Sequence, residues 1–85
     1  MAILAPMSPG PQKHSLTLHG HRTSVTLEAE FWLAFREIAA VKGIAINQLA
    51  AEIDEHRDPG EGLASAIRVF CLRHFRKMKG AVEKG

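Results

Sequence analysis

Eighty-five residues, 46% of them apolar, with a single cysteine and a formal charge of +2, describe one small domain. A chain this short buries only about 60 to 65% of its unfolded surface when it folds alone. One cysteine excludes an intrachain disulfide, so oligomerisation is the favoured support for a thin core. No apolar run approaches the roughly 20 residues of a membrane span, and the opening MAILAPMSPGPQK lacks the basic start of a secretion signal, which points to a cytoplasmic protein.

The charge is unevenly placed. Residues 28–62 carry eight acidic side chains against three basic ones, whereas Lys13 and Arg22 precede that segment without any acid. From Leu63 onward Arg68, Arg73, Arg76, Lys77, Lys79 and Lys84 face Glu83 alone. An anionic partner therefore meets the N-terminal segment or the last helix rather than the middle.

In chain order, Pro6, Pro9, Gly10 and Pro11 break both helix and strand, so residues 1–12 read as a flexible leader. From His14 to Leu27 the pattern alternates, with Leu16 and Leu18 apolar at even positions and Thr23, Val25 and Leu27 inward at odd ones. The phase changes at Gly20, which is therefore a bulge or a turn. Glu28 to about Lys42 has helical spacing, with Phe31, Phe35 and Ile38 on one row, Trp32 beside them, and Gly43 as a left-handed cap. Ile46, Leu49, Ala50 and Ile53 define a second helix to about Glu55, which Asp58, Pro59, Gly60 and Gly62 end. A third amphipathic helix runs from about Leu63 to Lys79, and residues 80–85 form a flexible tail. The predicted domain is 13–79, mainly α with a short β ribbon.

The strand Arg22 to Leu27 leads straight into helices, and its backbone groups need a partner. A second copy is the simplest source, and two-fold symmetry makes such a pair antiparallel. Thr23, Val25 and Leu27 then face the helices, leaving Arg22, Ser24 and Thr26 on an open polar face. A two-stranded ribbon of that kind fits the major groove of DNA, where arginine donates to guanine and hydroxyls meet either type of base edge.

The stretch RTSVTLEAEFWLAFREIAAVKGIAINQLAAEI resembles the ribbon-helix-helix repressors, the class of the methionine and Arc repressors. GHRTSVTLEAEFW, GIAINQLAAEID and LASAIRVFCLRHF are similar to small bacterial members with an extra C-terminal helix, over roughly residues 13–77. The resemblance implies an intertwined homodimer that regulates transcription, needs no cofactor and is not an enzyme. It also implies base contacts from Arg22, Ser24 and Thr26, and a DNA phosphate held at the second helix's start by Ile46, Asn47 and Gln48. Lys13 and His21 are further phosphate candidates. Val25, Leu27, Phe31, Trp32, Phe35, Ile38, Leu49 and Ile53 are the expected dimer core. Ala45 departs from the hydroxyl cap of many members, which removes a side-chain cap and a phosphate contact. If Gly20 makes a hairpin, a dimer sheet has four strands, about 14 Å across its strand axes, against a groove about 12 Å wide, which hinders insertion.

Other chemistry is weakly signalled. His14, His19 and His21 could gather a metal across a two-fold axis, but no cysteine or carboxylate on the same strand completes the set. Phe31, Trp32 and Phe35 are at core spacing rather than on a base-stacking platform. Cys71 lies on the apolar side of the third helix, where a free thiol packs. The alternative function is a dimeric interaction module whose basic third helix docks an acidic protein partner. Neither that nor DNA binding calls for a membrane.

Overall fold

A computed structural model of the chain describes residues 10–84, with side chains to residue 79. Five elements follow in order: β1 (Gln12–Leu18), β2 (His21–Leu27), α1 (Ala29–Lys42), α2 (Ile46–His56) and α3 (Leu63–Lys84). Of the predicted leader only residues 10–12 lie within the described part, and Gln12 already belongs to β1.

β1 and β2 are one antiparallel hairpin, in register from Leu18↔His21 to Gln12↔Leu27. The partner of β2 is therefore the preceding segment of the same chain, not a strand that only a second copy could supply. Two residues close the hairpin, His19 at φ 52 and Gly20 at φ 81. Positive φ at both central positions is the type I′ turn, whose twist suits a two-residue hairpin. A two-residue loop pairs even positions with odd ones, which is why the apolar phase changes there. Gly20 is a turn, and the bulge alternative falls away.

The hairpin lays one face on the helices, β1 against α2 and β2 against α1 and α3. Leu16, Leu18, Val25 and Leu27 from that face join Phe35, Ile38, Leu49, Ala50, Ile53, Ile67 and Cys71 in one buried cluster. Each such large apolar side chain contributes about 1.5–3 kcal/mol by leaving water. All of the expected dimer-core residues belong to this intrachain core, Phe31 and Trp32 half-buried at its margin and the rest buried. Thr23 differs from expectation. It pairs with buried Leu16 but is itself exposed, because the hairpin's turn end overhangs the helices on the β2 side.

α1 ends as predicted at Gly43, at φ 73, where the amides of Gly43 and Ile44 bond the carbonyls of Ala40 and Ala39 at 3.1 and 3.0 Å. That paired closure turns the chain sharply into α2. α2 starts on Ala45 without a side-chain cap. α3 packs on both α1 and α2 and runs to Lys84, beyond the predicted end.

Candidate nucleic-acid interface

Side chains of an antiparallel pair project on the same side as their cross-strand partners. The face of the hairpin turned away from the helices therefore carries Lys13 with Thr26, Ser15 with Ser24, and Thr17 with Arg22. All six are exposed. Two are cations, four are hydroxyls, and none is acidic. Arg22, Ser24 and Thr26 stand together on this face as the alternation predicts, and Lys13 joins them. Ser15 and Thr17 were not singled out from sequence; the even-to-odd pairing across Gly20 is the signal that assigns them here.

Each edge of the hairpin has one backbone group held within the chain, near the turn in β1 and at the far end in β2. Hydrogen-bonded and non-bonded pairs alternate along an antiparallel ladder. The amide of Thr17 points out of the sheet, because it donates to Asn47 Oδ1 at 3.0 Å. Asn47 thus ties the start of α2 to the outer edge of β1, and its carboxamide oxygen has a structural task beside the phosphate role expected of it. Ile46 is half-buried against the core, while Gln48 is exposed. The first intrahelical bond of α2 is Leu49 to Ala45, so the amides of residues 46–48 remain open at the helix start. Asn47 among them touches Thr17, the cross-strand partner of Arg22. An uncapped, positively polarised helix end next to a cationic strand face is a natural seat for an anion.

By the same alternation, Arg22, Ser24 and Thr26 direct their amides and carbonyls to the outer edge of β2. One of these groups has a partner: Arg68 Nη2 donates to the Thr26 carbonyl at 3.3 Å. The Arg68 Nε donates to Glu28 Oε1 at 3.0 Å. Glu28 is held below its ordinary value of 4.5, first by a backbone amide and then by Arg68. The remaining backbone groups of that edge have no partner among the described residues.

The strand histidines do not converge. His14 lies on the helix side, half-buried and stacked on Trp32 with ring centroids 4.0 Å apart and planes 7° apart. Its Nε2 is buried without a hydrogen-bond partner. His19, in the turn, approaches Glu55 at 3.4 Å. His21 is exposed but pairs with Leu18, which puts it on the opposite side of the sheet from Arg22. Among the described residues no group of three His, Cys, Asp or Glu side chains is placed to hold a metal ion. Cys71 is buried, and burial pushes its thiol up to about 11, which leaves it protonated and unreactive near neutral pH. No helix among the described residues is long and apolar enough to cross a membrane.

Residues 11–75 match the family model of the ribbon-helix-helix domain. No curated protein and no solved structure matches the chain.

Proposed function

The chain belongs to the ribbon-helix-helix domain family, whose members are typically dimeric, non-enzymatic, DNA-binding regulators, and from that premise we propose that it reads double-stranded DNA sequence-specifically as a cytoplasmic transcriptional regulator. The observation that carries this reading is the outer face of the hairpin, six exposed side chains with two cations and no acid beside the open amides of α2. Arg22 donates to guanine O6 and N7, and Ser24 and Thr26 meet neighbouring base edges. Lys13 and the amides of residues 46–48 hold phosphates and set the register. His21, on the far side of the sheet, has no part in this contact.

The open edge of β2 supports a homodimer as the working form. Two copies pairing β2 with β2 about a two-fold axis form a four-stranded sheet, about 14 Å between its outer axes. That exceeds the roughly 12 Å of the groove, so the sheet does not enter flat. The inner pair, with Arg22, Ser24 and Thr26 from both copies, takes the groove floor. A twist of about 20–25° per strand carries each β1, with its Lys13, toward the phosphate walls.

Fluorescence anisotropy of the wild type and Arg22→Ala against a pool of labelled genomic duplexes, at several salt concentrations, tests this. Wild-type binding should weaken steeply with salt, and loss of Arg22 should cost about 1–3 kcal/mol and relax preference at one base pair. Unchanged affinity and preference in Arg22→Ala would remove the outer face from recognition. No binding at low salt would favour the interaction module built on α3.

A further inference from the structure

A second concentration of positive charge lies away from the ribbon. Lys42, the last residue of α1, and Arg73, Arg76 and Lys77 of α3 line a hollow of about 710 Å³, with Phe70 and His74 as its remaining walls. No carboxylate lines this hollow. Each neighbouring groove has its own: Asp58 and Glu61 beside Arg57 in one, Glu52 in the second, Glu37 in the third. Nor do the four cations have ion-pair partners among the described residues, where Arg57 pairs with Asp54 and Arg68 with Glu28. Like charges gathered within a Debye length of about 8–10 Å repel one another until an anion with several charges joins them.

Two further features narrow the ligand. Phe70 and His74 are half-buried, with ring centroids 6.5 Å apart and planes 29° apart, and give the hollow an aromatic wall. Such a wall suits a planar ring, since aromatic faces stack readily on bases. The volume falls within the range of small-molecule sites, about 300–1,000 Å³. Lys42 is also a whole helix of 14 residues, about 21 Å along its axis, beyond the end of β2.

We propose that this hollow between the end of α1 and the middle of α3 binds a nucleoside polyphosphate, with the phosphates among Lys42, Arg73, Arg76 and Lys77 and the base against Phe70 and His74. The guanidinium groups supply forked donors that match phosphate oxygens, and the two lysines act as point charges. Both parts of the ligand are needed: phosphate for the charge, ring for the wall.

Isothermal titration of the full chain at low salt with ATP, inorganic pyrophosphate and adenosine tests this, alongside the Arg73→Ala/Lys77→Ala double variant and amide-shift mapping. ATP should bind once per chain, pyrophosphate at least about fivefold more weakly for want of the ring and of one phosphate, and adenosine not measurably. The double variant should weaken ATP at least about tenfold while keeping its melting temperature, since it removes two charge-assisted contacts from exposed positions. Shifts should centre on Lys42, His74 and Lys77, and Arg22→Ala should bind ATP as the wild type does, which separates failure here from failure of the ribbon. Absence of ATP binding, pyrophosphate as tight as ATP, an unaffected double variant, or an oligoglutamate peptide binding more tightly than ATP would each overturn the assignment.

Discussion

The two strands of the hairpin are alike in length and in their inward leucines and valine, yet their outer edges are held at opposite ends. The edge of β1 is tied near the turn, where the Thr17 amide bonds Asn47 at the start of α2. The edge of β2 is open apart from the Thr26 carbonyl, which Arg68 occupies at one end. Proteins commonly guard exposed strand edges, since an unguarded edge templates further pairing. In the proposed dimer β2 is the edge that adds a strand, and a second copy offers a self-complementary strand for that position.

The contrast between edges presupposes that both strands rest on one core, and removing that core has the largest effect. Phe35 is fully buried beneath the sheet. Phe35→Ala should cost about 3–5 kcal/mol in urea denaturation, through lost transfer energy and the cavity left behind. Thr26→Ala on the outer face should stay within about 0.5 kcal/mol. A similar cost for both would mean that the outer face is covered in solution.

Proline separates the edges directly. Ser15 and Ser24 face each other in the register, and both direct their amides out of the hairpin, so proline at either position spares the bonds between β1 and β2. Ser24→Pro removes a donor from the pairing edge of each copy, two ladder bonds per dimer. At about 1 kcal/mol each, the dimer should weaken by about thirtyfold, and more if the rings clash across the axis. Ser15→Pro should leave association within a fewfold. Sedimentation equilibrium reads both, and equal loss in the two variants would abolish the distinction between edges.

Much of this was legible in the residues. The alternation at Leu16, Leu18, Val25 and Leu27 gave the buried face, and the helical rows of Phe31, Phe35, Ile38, Leu49 and Ile53 gave the core, because both periodicities are local. The switch from even to odd positions at Gly20 also records a two-residue turn. His-Gly is a less familiar I′ pair than Asn-Gly or Asp-Gly, although histidine is among the residues enriched at positive φ. What stayed hidden were contacts between distant segments. Thr23 has inward parity, but its exposure depends on where the helices stop beneath the sheet. Asn47 and Thr17 lie 30 residues apart, and Arg68 and Glu28 lie 40 apart. Nothing in either local pattern announces such meetings.

Loosening the tied edge is a smaller perturbation than blocking the open one. Asn47→Ala leaves the Thr17 amide without its acceptor in an exposed position, where water replaces much of the bond. A loss of about 1 kcal/mol is expected, with Asn47→Asp retaining most of the stability because an acceptor remains. Thermal melts of the two variants provide the check. Equal losses would show that Asn47 acts through its amide nitrogen instead.

The smallest effect concerns the one occupied group on the open edge, and acid should release it. Arg68 bonds both Glu28 and the Thr26 carbonyl, so the Glu28 charge helps hold the guanidinium across the end of β2. Glu28 is lowered from 4.5 in the folded chain, by a backbone amide first and by Arg68 next. A group depressed on folding contributes stability above its unfolded value and loses it as pH falls through its folded one. Glu28→Gln should therefore be less stable than the wild type at neutral pH, and the difference should close as pH drops below 4.5. Urea midpoints of both proteins from about pH 7 to about pH 3 measure this, with other carboxylates cancelling in the comparison. Because the carboxylate is partly exposed, salt should reduce the difference as well. A difference that persisted unchanged through acid would mean that shape, rather than charge, holds Arg68 over Thr26. The guarded end of β2 would then stay closed whatever the protonation of Glu28.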